Sequence, residues 1–478
     1  MVYSSRAVVY IKNCHGTSPN VSDRSFPRHI KWVSNQVIIA TICASKRKSL
    51  MARSLWKFIL LACLTGISIG CGGGGQTPTP TPTPVSTNTV TITFLGPSPT
   101  AVAEKIGTGG WTTALLPNNG TLLLTLPSGT TQYSVAVVCN RTVSGAMGII
   151  EWVLEADLKD GSAYNLRFCL PNSPSTQPTG NISGSFDASA IPGIHTVNFS
   201  VDYGSAAFLG SSTGTFNISA STGVTDLYGL AYDNSGNILA MKILRSQTIP
   251  SVANAGNTIT FTASNAVIVQ PISIANISSG FSSPIMFSGY VSAHGSFPVD
   301  FAGFPAGTQY AAVPATDVQP GEYYFFNAVS GTATQQVYTQ QYLLTAAPVT
   351  LTLPKPWSPA PPAPAVFPAF TFDYTGLVGQ AATADNAAIG WSQGSISFGI
   401  DVIATGNFQN GSTTVTIPDL TSLPGFFSMA PAGSSITWSA TTWGGAAQWY
   451  QGSAPLLFPL TTPQTISNAS GQGTYTQP

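Results

Sequence analysis

Thr121-Leu122-Leu123-Leu124-Thr125-Leu126 and Tyr133-Ser134-Val135-Ala136-Val137-Val138, joined through Pro127-Ser128-Gly129, are short β-branched or alternating runs punctuated by turn residues. That pattern is a strand signal, because branched side chains pack on a pleated surface and Pro or Gly interrupts the ladder. The same signal recurs in both directions. It appears in Val90-Thr91-Ile92-Thr93-Phe94, Thr196–Val201, Thr258–Thr262, Tyr323–Phe326, Val349–Leu353, Ser395–Ile400 and Thr413–Ile417. Helical periodicity over ten or more residues is absent after Cys71; Pro99–Ile106 has room for a helical turn or two. The fold class expected is all-β, with tandem β-sandwich modules of immunoglobulin-like kind.

About 390 residues of such sequence exceed one sandwich, so several are expected. The run of prolines in Leu353–Phe370 cannot sit in a central strand and marks a linker. Softer breaks fall at Pro171–Gly180 and Asn265–Ser278. We therefore expect β modules over 90–175, 176–268, 269–353 and 370–478, with 354–369 as a linker. Leu126-Pro127-Ser128-Gly129-Thr130-Thr131-Gln132-Tyr133 is echoed by Phe304-Pro305-Ala306-Gly307-Thr308-Gln309-Tyr310, which suggests two copies of a two-module unit.

Upstream, Arg53 and Lys57 form a basic head, Phe58–Ile67 a short apolar core, and Cys71 follows Ser68-Ile69-Gly70. The apolar run is too short to span a bilayer and has the layout of an export signal. Its ending resembles the lipobox of bacterial lipoproteins, with Ser68 where that family usually carries Leu, Val or Ile. The resemblance implies lipidation of Cys71 and anchoring of an exported chain to a bacterial membrane, the outer membrane or cell surface. Residues 1–50 are read as translated upstream sequence before a start at Met51, 51–71 as the signal, and 72–89, with Gly72–Gly75 and four Thr-Pro repeats, as an extended tether. The region around Gly289-Tyr290-Val291 and Pro320-Gly321-Glu322-Tyr323-Tyr324 resembles carboxypeptidase-regulatory-like and immunoglobulin-like β modules, which implies a fold and no activity.

Charge divides along the chain. Ten Lys or Arg and one acid precede Cys71; from Cys71 onward seven basic and sixteen acidic residues give 7 − 16 = −9. A negative mature chain argues against binding nucleic acid through its phosphates. Cys139 and Cys169 remain after export and are expected to pair in an oxidising compartment.

The candidates for chemistry are few. Gly210-Ser211-Ser212-Thr213-Gly214 matches G-x-S-x-G, with Asp226 and His294 following in hydrolase order, but the strand-to-helix elbow that the motif needs is missing and a turn explains it. Asp233-Asn234-Ser235-Gly236-Asn237 offers Asp233, Asn234 and Asn237 as calcium ligands, against a hairpin turn using Asp and Gly. Glu151 and Glu155 would stand about 13 Å apart on one strand face, too far for a glycosidase pair. Trp438, Trp443, Trp449 and Tyr450 concentrate near the C-terminus and could stack on sugar rings, against burial in a core. The expected function is a membrane-anchored envelope protein with a binding, adhesive or structural role toward a protein or glycan, without catalysis or cofactor. A carbohydrate-binding or carbohydrate-active surface protein is the alternative.

Overall fold

The computed structural model describes residues 88–94, 98–115, 120–143, 146–166, 169, 179–201, 205–249, 258–299, 308–358, 368–445 and 460–477. The expectations for 1–50, the signal, Cys71 and the tether through residue 87 lie outside the described residues. So do Trp449 and Tyr450.

The described chain is built from β-strands. The first set comprises β1 (Asn88–Phe94), β2 (Ala101–Ile106), β3 (Thr112–Thr113), β4 (Thr121–Leu126), β5 (Gln132–Val143), β6 (Ala146–Asp157) and β7 (Ala163–Leu166). The second comprises β8 (Thr179–Asp187), β9 (Thr196–Val201), β10 (Ser205–Leu209), β11 (Thr213–Ser221), β12 (Gly223–Tyr232), β13 (Ile238–Ile249) and β14 (Thr258–Thr260). The third runs through β15 (Ile268–Ala275), β16 (Ile285–Ser292), β17 (Gly295–Pro298), β18 (Gln309–Ala312), β19 (Tyr323–Gly331), β20 (Gln335–Leu343) and β21 (Val349–Thr352). The fourth has β22 (Ala369–Thr371), β23 (Ala382–Gln393), β24 (Ile396–Thr405), β25 (Thr414–Thr416), β26 (Ser435–Gly445) and β27 (Gln464–Thr476), with one helical turn, α1 (Gly406–Gln409), after β24. Pro99–Ile106, allowed a helical turn by its sequence, is instead largely the strand β2, whose Val102 and Ala103 are buried.

One strand order repeats. In the first three sets the first strand lies between the fourth, antiparallel, and the seventh, parallel: β4-β1-β7, β11-β8-β14 and β18-β15-β21. The remaining four strands take the order third, second, fifth, sixth in every set: β3-β2-β5-β6, β10-β9-β12-β13, β17-β16-β19-β20 and β24-β23-β26-β27. Each set is thus a two-sheet sandwich of immunoglobulin-like architecture with its own partition of strands between the sheets. Period-two burial shows why. In β4, Leu122, Leu124 and Leu126 are buried while Leu123 and Thr125 are exposed.

The sandwiches are fused. The sixth strand of the third, β20, pairs antiparallel with β27, and β24 pairs parallel with β6 over Ile396↔Met147 to Ala404↔Glu155. The result is a twelve-stranded sheet, β17-β16-β19-β20-β27-β26-β23-β24-β6-β5-β2-β3, shared by the third, fourth and first sandwiches. Strands buried on both faces lose alternation: β24 is buried continuously from Gly399 to Thr405. The second sandwich packs instead by its outer face, where Tyr228, Leu230, Met241 and Ile243 join the core of the third.

A shared turn launches the fifth strand. Gly129, Gly321 and Gly433 adopt φ of 83°, 84° and 82°, and the N–H groups of Thr130, Glu322 and Ser434 donate to the carbonyls of Pro127, Gln319 and Pro431 at 3.0, 3.2 and 3.1 Å. These are turns with glycine at the left-handed third position. The echo seen in sequence joins different places, since Leu126–Tyr133 connects β4 to β5 whereas Gln309-Tyr310 opens β18, a fourth strand. Gly433 has open space where a Cβ would stand, so the cost of a side chain there is backbone strain alone. Gly433→Ala is expected to lower unfolding free energy by about 1–2 kcal/mol, read from the denaturant midpoint; an unchanged midpoint would contradict the turn assignment.

Candidate functional site

The best-formed polar cluster joins the second sandwich to the third. Asp226 on β12 and Arg245 on β13 are neighbours at a bulge, where the register slips between Thr225 and Leu227. Ser246 there takes φ of 54° and its N–H donates to Asp226 Oδ1 at 2.7 Å. The bulge turns Arg245 toward the third sandwich. Its guanidinium donates to both carboxylate oxygens of Glu322, through Nη2 at 2.8 Å and through Nη1, to the Asp317 carbonyl, and to Asp226 Oδ2 at 3.3 Å. The Arg245 side chain is 19% exposed; those of Asp226 and Glu322 are fully buried.

The third sandwich completes the cluster. Tyr290 Oη donates to Glu322 Oε2 at 2.6 Å, the Gln319 N–H to the same oxygen at 2.9 Å, and Ser292 Oγ to Asp226 Oδ2 at 2.6 Å. Tyr228 Oη lies 2.7 Å from Ser292 Oγ. Burial alone would pull the arginine toward neutrality, but Glu322 and then Asp226 outweigh it and hold Arg245 above its ordinary value. Burial, reinforced by Glu322, pushes the Tyr290 phenol up as well. Buried charge is tolerated here because each carboxylate is paired and hydrogen-bonded.

This geometry serves cohesion rather than a hydrolytic relay. Ser211 Oγ donates to the Thr213 carbonyl at 2.7 Å within its own turn. Asp226 is taken by Arg245, Ser246 and Ser292, and His294 contributes its main-chain carbonyl, which accepts from the Asp226 N–H at 3.2 Å. The three residues in hydrolase order therefore do not form a nucleophile, base and orienting acid.

A second polar group lies along the seam between β24 and β6. Cross-strand pairing puts Thr442, Asp385, Ala404, Glu155, Ser134 and Lys105 in one row across the sheet. Asp385 accepts from Thr442 Oγ1 at 2.6 Å and from Gln409 Nε2, on α1, at 3.0 Å. On the other face Asn386 Nδ2 donates to Asp401. Glu151, 1% exposed, leaves Oε1 without a hydrogen-bond partner among the described residues. Burial, and secondarily the nearby Asp419 carboxylate, raises Glu151 to about 8. Burial raises Glu155 to about 7 against the opposing pull of Lys105, and raises Asp401 to about 7 against the Asn386 hydrogen bond.

The remaining candidates are placed as follows. Cys139 and Cys169 form a disulfide with Cα atoms 5.2 Å apart, tying β5 to the segment after β7. Closing its 30-residue separation contributes about 3–4 kcal/mol on the chain-entropy account. Asp233 Oδ1 accepts from the N–H groups of Ser235 and Asn237, both at 2.8 Å, and Oδ2 from Asn237 Nδ2 at 2.8 Å. These bonds, with the Asn237 N–H first, hold the Asp233 carboxyl below its usual range; its oxygens stabilise the β12–β13 hairpin turn. Asn234 is a neighbouring turn residue, and among the described residues no three His, Cys, Asp or Glu gather as a metal-binding group.

Trp438 and Trp443, weighed as stacking residues against burial in a core, are five residues apart on β26 and so face opposite sides of the sheet. Trp438 is 7% exposed and packs against Phe370. Trp443 is half-buried against the cluster of Val291, Tyr323, Tyr342, Leu460 and Ile466. Trp438 is thus part of the buried core of the fourth sandwich.

Arg245, Glu322, Asp385 and Asp401 escaped the sequence reading. The available signal was charge set against apolar strand runs, as Arg245 stands with Lys242 within Ile238–Ile249 and Glu322 before Tyr323-Tyr324-Phe325-Phe326. A scan against protein-family models and a search of curated proteins each find no match to this chain.

Proposed function

We propose that this chain is a lipid-anchored scaffold of the bacterial cell envelope, exported by the Met51–Cys71 signal and holding its sandwiches off the membrane on the Gly and Thr-Pro tether. Its role is to bind or support a protein or glycan partner, without catalysis. The observation that carries this reading is the fusion of sandwiches. Edge-to-edge pairing through β20–β27 and β24–β6, with Arg245 joining the second sandwich to the third, suits a body that transmits position and load. Asp226, Arg245 and Glu322 are engaged with one another at the second–third junction. Burial of Trp438 favours the scaffold over the carbohydrate reading. Among the described residues no helix is long and apolar enough to cross a membrane.

The test is intact-mass analysis and fractionation of the full chain in a bacterial host, with and without Cys71→Ser. The expected result is a membrane-fraction protein beginning at Cys71 with acyl mass, and a Cys71→Ser protein in the soluble fraction. A chain beginning at Met1 and lacking acyl mass would overturn export and anchoring together.

A further inference from the structure

Among the described residues, three sandwiches complete the sheet around their first strand and the fourth does not. β1, β8 and β15 each carry a parallel seventh strand, β7, β14 and β21. β22 pairs with β25, and among the described residues no strand lies on its other side. The hydrogen-bond phase identifies the open groups. The Phe372 N–H donates to the Thr413 carbonyl at 2.6 Å and the Ile417 N–H to the Pro368 carbonyl at 3.1 Å, so positions 368, 370 and 372 turn toward β25. Ala369 and Thr371 therefore present their N–H and C=O groups to the opposite edge. The linker covers the chain just beyond, where the Lys355 N–H donates to the Gly376 carbonyl at 3.0 Å and Trp357 Nε1 to Asp373 Oδ1 at 3.0 Å. Among the described residues no strand covers the Ala369–Thr371 edge.

The core beneath that edge agrees. Phe370 rests on Trp438, whose Nε1 is buried with no hydrogen-bond partner among the described residues. The three internal copies show what belongs there. Their seventh strands bury Tyr164 and Leu166, Ile259, and Val349 and Leu351, while Asn165, Thr258, Thr260 and Thr350 between or beside them are exposed. All three carry apolar residues at alternate positions and no charge.

We propose that the fourth sandwich takes its seventh strand from a partner polypeptide, which adds parallel to β22 along Ala369–Thr371 with apolar residues at alternate positions. Main-chain hydrogen bonds to the edge supply affinity and the alternate side chains supply selectivity, as in other strand additions. The inference names a partner for the scaffold proposed above and rests on its binding role. Its test uses protein in solution, so failure here leaves the anchoring result untouched.

The probe is a fluorescent synthetic peptide with the sequence of Ala347–Pro354, which contains the third sandwich's seventh strand, titrated into the purified full chain. The Leu353 N–H donates to the Ala275 carbonyl, so odd positions of that strand face its partner. N-methylation at Leu351 and Leu353 is expected to weaken binding about tenfold, and N-methylation at Thr350 and Thr352 to leave it unchanged. In the protein, Thr371→Pro removes the outward N–H without touching the β25 ladder, and is expected to weaken binding with the unfolding midpoint retained. Absence of saturable binding at millimolar peptide, or equal binding of the two methylated peptides, would overturn the proposal whether or not the proline variant folds. Undiminished binding by folded Thr371→Pro protein would do the same. Dimers of the chain that dissolve in Thr371→Pro would overturn the partner in favour of a second copy.

Discussion

Arg245→Ala is expected to lower the stability of the junction between the second and third sandwiches by about 3–5 kcal/mol, the range for removing one partner of a buried ion pair. The size follows from what remains. Asp226 and Glu322 are fully buried, both face the guanidinium, and neither has solvent to replace it. Glu322 would keep Tyr290 and the Gln319 N–H, and Asp226 would keep Ser292 and the Ser246 N–H, so local hydrogen bonds limit the loss without removing two like charges from one small volume. A triple variant, Asp226→Asn with Arg245→Met and Glu322→Gln, removes all the charges at once and is expected to recover much of the loss. Denaturant unfolding followed by tryptophan fluorescence and far-ultraviolet circular dichroism would measure both variants. In Arg245→Ala the second sandwich is also expected to unfold ahead of the other three, as a separate early transition. A loss below about 1 kcal/mol, as at exposed ion pairs, would show that the cluster does not hold the junction.

The local part of this architecture was open to reading in the sequence. Thr121–Leu126 is β4, Thr196–Val201 is β9, and Tyr133–Val138 lies within β5, because alternation and branched side chains act over a few residues and survive any tertiary arrangement. The pairing of β24 with β6 was not legible. Their partners stand about 250 positions apart, and an edge that meets another edge carries the same composition as one that meets a hairpin neighbour. The burial of Trp438 was equally hidden, since an aromatic on a strand suits a core or a binding face and only the opposing Phe370 decides between them. The repeat was visible in the wrong place. Pro127-Ser128-Gly129 has its structural counterpart in Pro431-Ala432-Gly433, where the left-handed glycine and the closing hydrogen bond recur, while the longer match at Phe304–Tyr310 leads into a different strand. Backbone conformation identifies the repeat more sharply than similarity of residues does.

The seam acids make stability fall as pH rises across neutrality, which is the second large expected effect. Glu151 sits 1% exposed at the join of the first and fourth sandwiches, with one carboxyl oxygen unpartnered and the Asp419 carboxylate nearby, and is raised from 4.5 to about 8. An acid whose folded value lies above its unfolded value binds more protons folded than unfolded. Its contribution is therefore fully present below about pH 4.5 and is lost as pH climbs through about 8. Glu151 alone corresponds to about 3–5 kcal/mol over that window. Asp401 and Glu155, each raised to about 7, act in the same direction; Glu155 is half-buried beside Lys105 and contributes less. Asp187, Asp233 and Asp419 are lowered by hydrogen bonds from Ser189, Asn237 and Thr421, so their opposing effect is confined below the ordinary carboxylate range. Unfolding midpoints measured from pH 5 to pH 9 should fall steadily, and Glu151→Gln, which keeps the shape and cannot ionise, should flatten the upper part of the curve. A profile that rises toward pH 9, or one that Glu151→Gln leaves unchanged, would remove Glu151 as its source.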